Sequence, residues 1–108
     1  MSFSMKIQEE QQSTIIKLQG EIDLYDSFDF KYSLLLDCNG NSKKVIVDLS
    51  QVSSIDFSGV ATLIEGLKWC KKNGKLFVLK NVSTNVMSVL SEFKLKTTFK
   101  IISSPLSN

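Results

Sequence analysis

The first 22 residues place apolar residues at alternate positions, a pattern typical of half-buried β-strands. A polar cluster from Glu9 to Ser13 interrupts the alternation and is suited to a turn. The alternating positions are Phe3, Met5, Ile7, Ile16, Leu18, Gly20 and Ile22. This pattern predicts a β-hairpin over residues 3–22.

From Asp23 the spacing of apolar residues changes to that of a helix. The recurring positions are Leu24, Phe28, Lys31/Tyr32 and Leu35. Either Asp23 or Asp26 can cap the start of this helix with its carboxylate. The segment from Asn39 to Ser42 contains residues that tolerate positive φ, so the helix is predicted to end there.

The centre of the chain combines a short apolar strand with an amphipathic helix. Val45–Leu49 is almost continuously apolar, which predicts a strand covered on both faces, followed by a polar loop. A helix from about Ser58 to Lys72 follows, and Asn73-Gly74 ends it. Its predicted buried stripe is Val60, Leu63, Ile64, Leu67 and Cys70. Ser58 therefore lies where a buried strand passes into a helix N-terminus, and function is expected there.

The last third of the chain predicts a strand, a third helix and a final strand. Leu76–Leu79 should lie parallel to the preceding strand through a right-handed crossover. Thr84 or Asn85 can cap the third helix. Thr97–Ile102 is predicted to be the last strand, and residues 103–108 are predicted to be a frayed polar tail. The apolar positions of this helix are Val86, Val89, Leu90 and Phe93.

Together these elements predict an α/β fold in the order β-β-α-β-α-β-α-β, with helices covering a mixed sheet. A length of 108 residues fits a single domain, residues 1–108, and 43% hydrophobic with 22% charged residues is ordinary for a soluble protein. The net charge of +2 without a clustered basic face gives no case for nucleic-acid binding.

Several kinds of chemistry lack the residues they need. The chain has no histidine, and Cys38 and Cys70 stand alone, so neither a metal site nor a disulfide is expected. No glycine-rich phosphate loop or recognisable carboxylate pair is present, so we expect no catalytic residue, no cofactor and no enzymatic activity. No segment has the length of a signal peptide or a membrane span, which predicts a cytoplasmic protein.

With these residues laid out, the chain resembles the STAS domain, the family of sulfate transporters and anti-sigma factor antagonists. The segment from Val47 to Val60 resembles the family's signature strand, loop and helix start, and Gly20–Asp23 is similar to its entry into the first helix. Two departures are Phe57, where the family often carries Ser or Thr, and Ala61, where Gly or another small residue is common. The resemblance extends to the family's closing helix and strand, where the matching residues are Val82, Ser83, Val86, Leu90, Phe93, Leu95, Phe99 and Ile101.

The resemblance implies a STAS fold and, at this length, a stand-alone bacterial anti-sigma factor antagonist that regulates transcription by partner switching. Such proteins bind an anti-sigma factor when unphosphorylated. The anti-sigma factor is often their serine kinase, and a PP2C-type phosphatase reverses the modification. By the motif the phosphoacceptor is Ser58, and the protein is expected to be a monomer that acts as a one-to-one partner.

Ser58 and its neighbours each have a purely structural alternative. A phosphate at Ser58 would meet free N–H groups and the positive end of the helix dipole, but Ser58 is alternatively only a cap. Gly59 either leaves the hydroxyl open to a kinase or serves close packing. Asp56 caps the helix or flanks the phosphoacceptor, and Phe57 is either a core residue or an exposed anchor for a partner. Asp23 caps the first helix, or orients the Ser58 hydroxyl and contacts the kinase.

Two other classes of function remain open. The chain could be a fixed STAS interaction subunit of a transport or chemosensory assembly, in which Ser58 is never modified. An enzyme would be revealed by turnover of a substrate by the isolated protein.

Overall fold

The computed structural model describes residues 3–23, 26–38 and 40–103. Predictions that involve Leu24, Asn39 and the tail residues 104–108 lie outside the described residues. Within the described part, the predicted order of elements is confirmed. The elements are β1 (Ser4–Glu10), β2 (Ser13–Ile22), α1 (Asp26–Cys38), β3 (Lys44–Ile55), α2 (Phe57–Lys72), β4 (Leu76–Lys80), α3 (Thr84–Glu92) and β5 (Lys100–Ile102).

The strands form one mixed sheet in the order β1-β2-β3-β4-β5. β1 and β2 pair antiparallel, which confirms the predicted hairpin, and the remaining neighbours pair parallel. Each parallel connection advances the sheet by one strand in the same direction. Because such crossovers are right-handed, α1, α2 and α3 all lie on one face of the sheet.

The core lies between that face and the three helices. From β3 it takes Val45, Val47 and Leu49, all 0% exposed. Both faces of Val45–Leu49 are buried, as predicted, although the helices cover only one of them. On α2 the predicted stripe is confirmed, with Val60, Leu63 and Cys70 buried and two flanking members partly buried. The central strand and α2 therefore hold each other in place by burying apolar surface.

The predicted polar loop after Leu49 is wrong, because β3 continues to Ile55. The extension pairs with β2 through two register shifts, and it ends with Ile55 opposite Ile22. Its polar side chains are exposed, whereas Val52 and Ile55 are buried. A polar run without regular alternation can continue a strand when a neighbouring strand supplies the backbone hydrogen bonds.

The row of residues that identified α1 in the sequence is not the row that faces the core. Phe30 and Leu34 are buried, whereas Phe28 is 70% and Tyr32 69% exposed. At the start of the helix, the Asp23 carboxylate accepts a hydrogen bond from the backbone N–H of Asp26, the first residue of α1, at 3.1 Å. The helix was predicted correctly, but its buried face requires the tertiary packing.

Two predictions near the C-terminus are also corrected. Ser83, not Thr84 or Asn85, is the N-cap of α3: its hydroxyl accepts from the N–H of Val86 and donates to the Val52 carbonyl at 2.9 Å. The last strand is only Lys100–Ile102, because residues 96–98 form a turn. In the described residues no helix combines the length and apolar character needed to cross a membrane.

Candidate functional site

Asp56 makes the transition from β3 to α2. Its backbone is extended, with φ −99° and ψ −175°, and its carboxylate accepts a hydrogen bond from the N–H of Gly59 at 3.1 Å. Its carbonyl accepts the first helical hydrogen bond, from Val60. Asp56 is therefore the N-cap, as the pattern predicted, and the alternative that Ser58 is the cap is wrong. Ser58 is the second residue of α2.

Ser58 lines a shallow groove of about 280 Å³ between α1 and α2. The side chain is half-buried, and the Ser58 carbonyl accepts a hydrogen bond from the Thr62 hydroxyl at 3.0 Å. That bond joins the first two turns of the helix. The groove is lined by Phe28 and Lys31 from α1 and by Phe57, Ser58, Ala61, Thr62 and Glu65 from α2.

The start of α2 carries unused hydrogen-bonding capacity. Among the described residues, the N–H groups of Phe57 and Ser58 find no acceptor, while that of Gly59 is taken by the cap. No acidic residue lies in the first turn itself. Since free N–H groups and the helix dipole both favour negative charge, an oxygen anion attached to Ser58 would be stabilised there.

Gly59 is buried and faces the ends of two strands. A Cβ at this position would lie 2.5 Å from Cγ1 of Ile55 and 2.9 Å from Cγ2 of Ile22. Both distances are too short for a carbon–carbon contact, so a side chain fits only if the isoleucines move. The absent side chain thus lets α2 approach the sheet closely, and this geometry supports the packing alternative for Gly59.

Asp23 and Asp56 lie at the same edge of the sheet. Each follows the last residue of its strand, and those residues, Ile22 and Ile55, are paired in register. The backbone N–H of Asp56 donates to the Ile22 carbonyl at 3.1 Å. Loss of hydration and, next, the nearby Asp23 carboxylate raise the pKa of Asp26. Three carboxylates therefore make this edge, next to Ser58, electronegative.

Phe57 is 66% exposed, so of its two predicted roles the structure supports an anchor on the surface rather than a core residue. Its ring lies 5.6 Å from that of Phe93, which follows α3. The five predicted site residues thus lie at one edge of the sheet. Sequence reasoning missed the groove residues Phe28, Lys31 and Glu65, because the packing of α1 beside α2 has no local signal in the sequence.

Comparison with known families and structures places this geometry in context. Residues 5–103 match the sequence model of the family described as "Mlab, STAS domain". The unphosphorylated form of the anti-sigma factor antagonist SpoIIAA superposes with a TM-score of 0.82 at 17% identity, covering 94% of this chain and 89% of SpoIIAA. SpoIIAA from Bacillus has also been solved in a phosphorylated form, which superposes with a TM-score of 0.77 at 16% identity over 94% and 92% of the two chains.

Two further structures share the fold. A putative anti-sigma factor antagonist from Thermotoga maritima has a TM-score of 0.85 at 24% identity, with 93% of this chain and 86% of that chain covered. A sulfate transporter family protein from Wolinella succinogenes has a TM-score of 0.74 at 21% identity, with 86% and 78% covered. At these identities the structural likeness establishes the fold.

Proposed function

Because the chain belongs to the STAS domain family, we propose that it is an anti-sigma factor antagonist whose binding is switched by phosphorylation of Ser58. Unmodified, it binds an anti-sigma factor that is also its serine kinase. The phosphorylated form does not bind, and a PP2C-type phosphatase restores the active form. In this proposal the chain is a single non-enzymatic domain that acts in the bacterial cytoplasm as a one-to-one partner.

The observation that carries the proposal is the position of Ser58 at the start of α2. The side chain lines a groove on the surface, next to two backbone N–H groups that find no acceptor among the described residues. A phosphate there would keep the helix intact, because it adds hydrogen bonds and interacts favourably with the dipole. The existence of SpoIIAA in phosphorylated and unphosphorylated forms supports the idea that this fold accepts such a modification.

The expected effect of the phosphate is on binding rather than on folding. It adds roughly −1.5 to −2 charges at neutral pH, next to the carboxylate of Asp56. The groove around Ser58 is flanked by the exposed rings of Phe28 and Phe57. A partner that covers these rings would have to bury a dianion in an apolar contact, and the loss of hydration makes that unfavourable.

The neighbouring residues have distinct roles in this proposal. Phe57 anchors the partner or kinase, and Asp23 contacts the kinase or orients the hydroxyl. Asp56 holds the first turn of α2 and flanks the phosphoacceptor. Gly59 contributes by letting α2 approach the sheet, which fixes the position of Ser58.

The test compares the natural modification with two variants. The protein isolated from its native cells should carry phosphate on Ser58 in some growth conditions, as site-mapped mass spectrometry would report. Ser58→Ala should bind the anti-sigma factor constitutively, and Ser58→Asp should retain the fold by circular dichroism while losing the complex. Equal affinities of the two variants for the purified partner would refute the switch.

A second candidate is a fixed interaction subunit of a transport or chemosensory assembly. It is favoured by the family description, which names Mlab, and by the similarity to a sulfate transporter family protein. The two candidates differ in the state of Ser58. An unmodified serine in all growth conditions, together with a constitutive complex containing a transporter ATPase, would favour the fixed subunit.

A further inference from the structure

Helix α1 has a second apolar face that the fold does not use. Phe28, Tyr32 and Leu36 follow one another at four-residue spacing and are 70%, 69% and 57% exposed. The core side of the same helix is supplied by Phe30 and Leu34, which are buried. Side chains four residues apart lie on one face of a helix, so the three exposed residues form a continuous row.

This row continues across the groove that contains Ser58. Phe28 forms one wall of the groove and Phe57 lies on the other side, and the Phe57 ring in turn contacts Phe93. We call these five residues the outer apolar strip: Phe28, Tyr32, Leu36, Phe57 and Phe93. They are five of the seven large hydrophobic residues that are exposed in the described part of the chain. A contiguous apolar surface of this kind marks an interaction site more often than isolated exposed residues do.

The size of a stable interface indicates what covers the strip. Such an interface buries about 800 Å² and roughly 20–30 residues on each partner. The groove around Ser58 is lined by only seven residues. A partner that contacts Ser58 must therefore spread over neighbouring surface. In one direction along α2 it would meet Lys68, Lys71 and Lys72, and charged residues are depleted at interface centres. The strip offers apolar surface that begins in the groove itself.

Charge around the strip indicates a protein rather than a lipid surface. Asp23, Asp26 and Asp56 lie at the starts of α1 and α2, and Asp29 lies beside the exposed row on α1. An anionic bilayer would be repelled by this set of carboxylates. Lys31 and Glu65 both line the groove side of the row, so a helix placed on the strip would meet charges of both signs there and a carboxylate, Asp29, on the other border.

We propose that the outer apolar strip is the docking surface for the same partner protein that contacts Ser58, and that this partner covers it with the apolar face of a helix whose basic border lies along Asp29. The inference rests on the proposed function, since it extends the contact of that partner from the groove along α1. Two features of this chain thus recognise the partner. The apolar row provides affinity, and the phosphorylation state of Ser58 permits or prevents docking.

The first experiment locates the partner by photo-crosslinking in native cells. A benzophenone amino acid replaces Tyr32 in one variant and Phe57 in a second, and Lys17 on the helix-free face of the sheet serves as the control. The same protein, identified by mass spectrometry, should be crosslinked from both strip positions and not from Lys17. A different protein, or a second copy of this chain, crosslinked from Tyr32 would overturn the inference while leaving the partner at Phe57 in place.

The second experiment measures the affinity of that purified partner for strip variants. Tyr32→Ser should weaken binding roughly 10- to 100-fold, as expected for an aromatic residue central to an interface, and Leu36→Ser should also weaken it. Leu76→Ser is the matched control, because Leu76 is 54% exposed, close to the value for Leu36, but lies on β4 away from the strip. These side chains are exposed, so the variants should remain folded, with melting temperatures within a few degrees of the wild type.

The outcomes separate the two proposals. If Ser58→Asp abolishes binding while Tyr32→Ser and Leu36→Ser bind as the wild type does, the strip is not the docking surface and the switch stands. If no protein is crosslinked from Phe57 and Ser58 is never modified, the proposed function fails, and the inference fails with it.

Discussion

Replacing Gly59 by alanine tests whether close packing of α2 against the sheet positions the site. The added methyl group would lie 2.5 Å from Cγ1 of Ile55 and 2.9 Å from Cγ2 of Ile22. Ile55 is 6% and Ile22 1% exposed, so neither side chain can move aside into solvent. Overpacking of this kind typically costs about 1–3 kcal/mol. Alanine is preferred over glycine in a helix interior by about 1 kcal/mol, which offsets part of that cost.

Subtracting a gain of about 1 kcal/mol from a cost of about 1–3 kcal/mol, we expect Gly59→Ala to lower the free energy of unfolding by about 0–2 kcal/mol. Urea denaturation followed by circular dichroism measures it, and an unchanged m-value would show that the unfolded state is not altered. Ala61→Gly, in the same turn of α2 and half-buried, gives the propensity difference without a clash. It should cost about 1 kcal/mol.

A double-mutant cycle isolates the clash. Ile55→Ala removes both atoms of Ile55 that a Cβ at Gly59 would approach. The double variant should consequently be more stable than the sum of the two single effects predicts, because the second change makes room for the first. A Gly59→Ala protein about 1 kcal/mol more stable than the wild type, the gain expected if no clash occurs, would refute this account of why glycine occupies the position.

Two further predictions concern carboxylates of different kinds. Asp56→Ala should cost about 1 kcal/mol through loss of the N-cap of α2, whereas Asp56→Asn should retain most of the stability; equal losses in urea denaturation would contradict the cap. Asp37→Asn should raise the melting temperature at neutral pH. Burial is the main cause that raises the pKa of Asp37 above 3.8, and the charge of Glu9 adds to it, whereas Lys75 lowers the pKa. Because the folded state disfavours the ionised carboxylate, the protein loses stability as Asp37 ionises with rising pH. The advantage of Asp37→Asn should disappear as the pH falls towards 3.8, and a difference that is the same at every pH would argue against this cause.

The elements that the sequence predicted well are those with one buried face. The alternation in β2 and the stripe on α2 each match a single period, and both elements have the predicted type and approximate bounds. β1 also has the predicted type, but the prediction that it is half-buried is wrong, because most of its residues are exposed, Ile7 at 44%. The cap of α2 by Asp56 was likewise predictable, because the residues that make this motif are local. Local sequence patterns are sufficient to predict an element when its buried residues follow the period of that element.

The elements that were misjudged depend on contacts between distant residues. β3 extends to Ile55 because β2 supplies hydrogen-bonding partners for its backbone. No pattern within residues 50–55 predicts this pairing. Ser83 caps α3 in preference to its two neighbours, with its hydroxyl also donating to Val52 in β3. The groove at Ser58 exists only because α1 and α2 lie side by side. Such features follow from topology, which the periodicity of one segment does not contain.

The outer face of α1 is the exception, because its signal is present in the sequence. Apolar residues occur at every second position from Phe28 to Leu36. Alternation suits a strand, but in a helix two residues correspond to a rotation of about 200°, so successive members point to opposite faces. One set, Phe30 and Leu34, is buried, and the other, which includes Tyr32, is exposed. A helix on one side of a two-layer fold can bury only one of two opposite faces within its own chain. Alternation inside a helix therefore predicts an external apolar face, and here that face begins at the groove of the candidate phosphoacceptor.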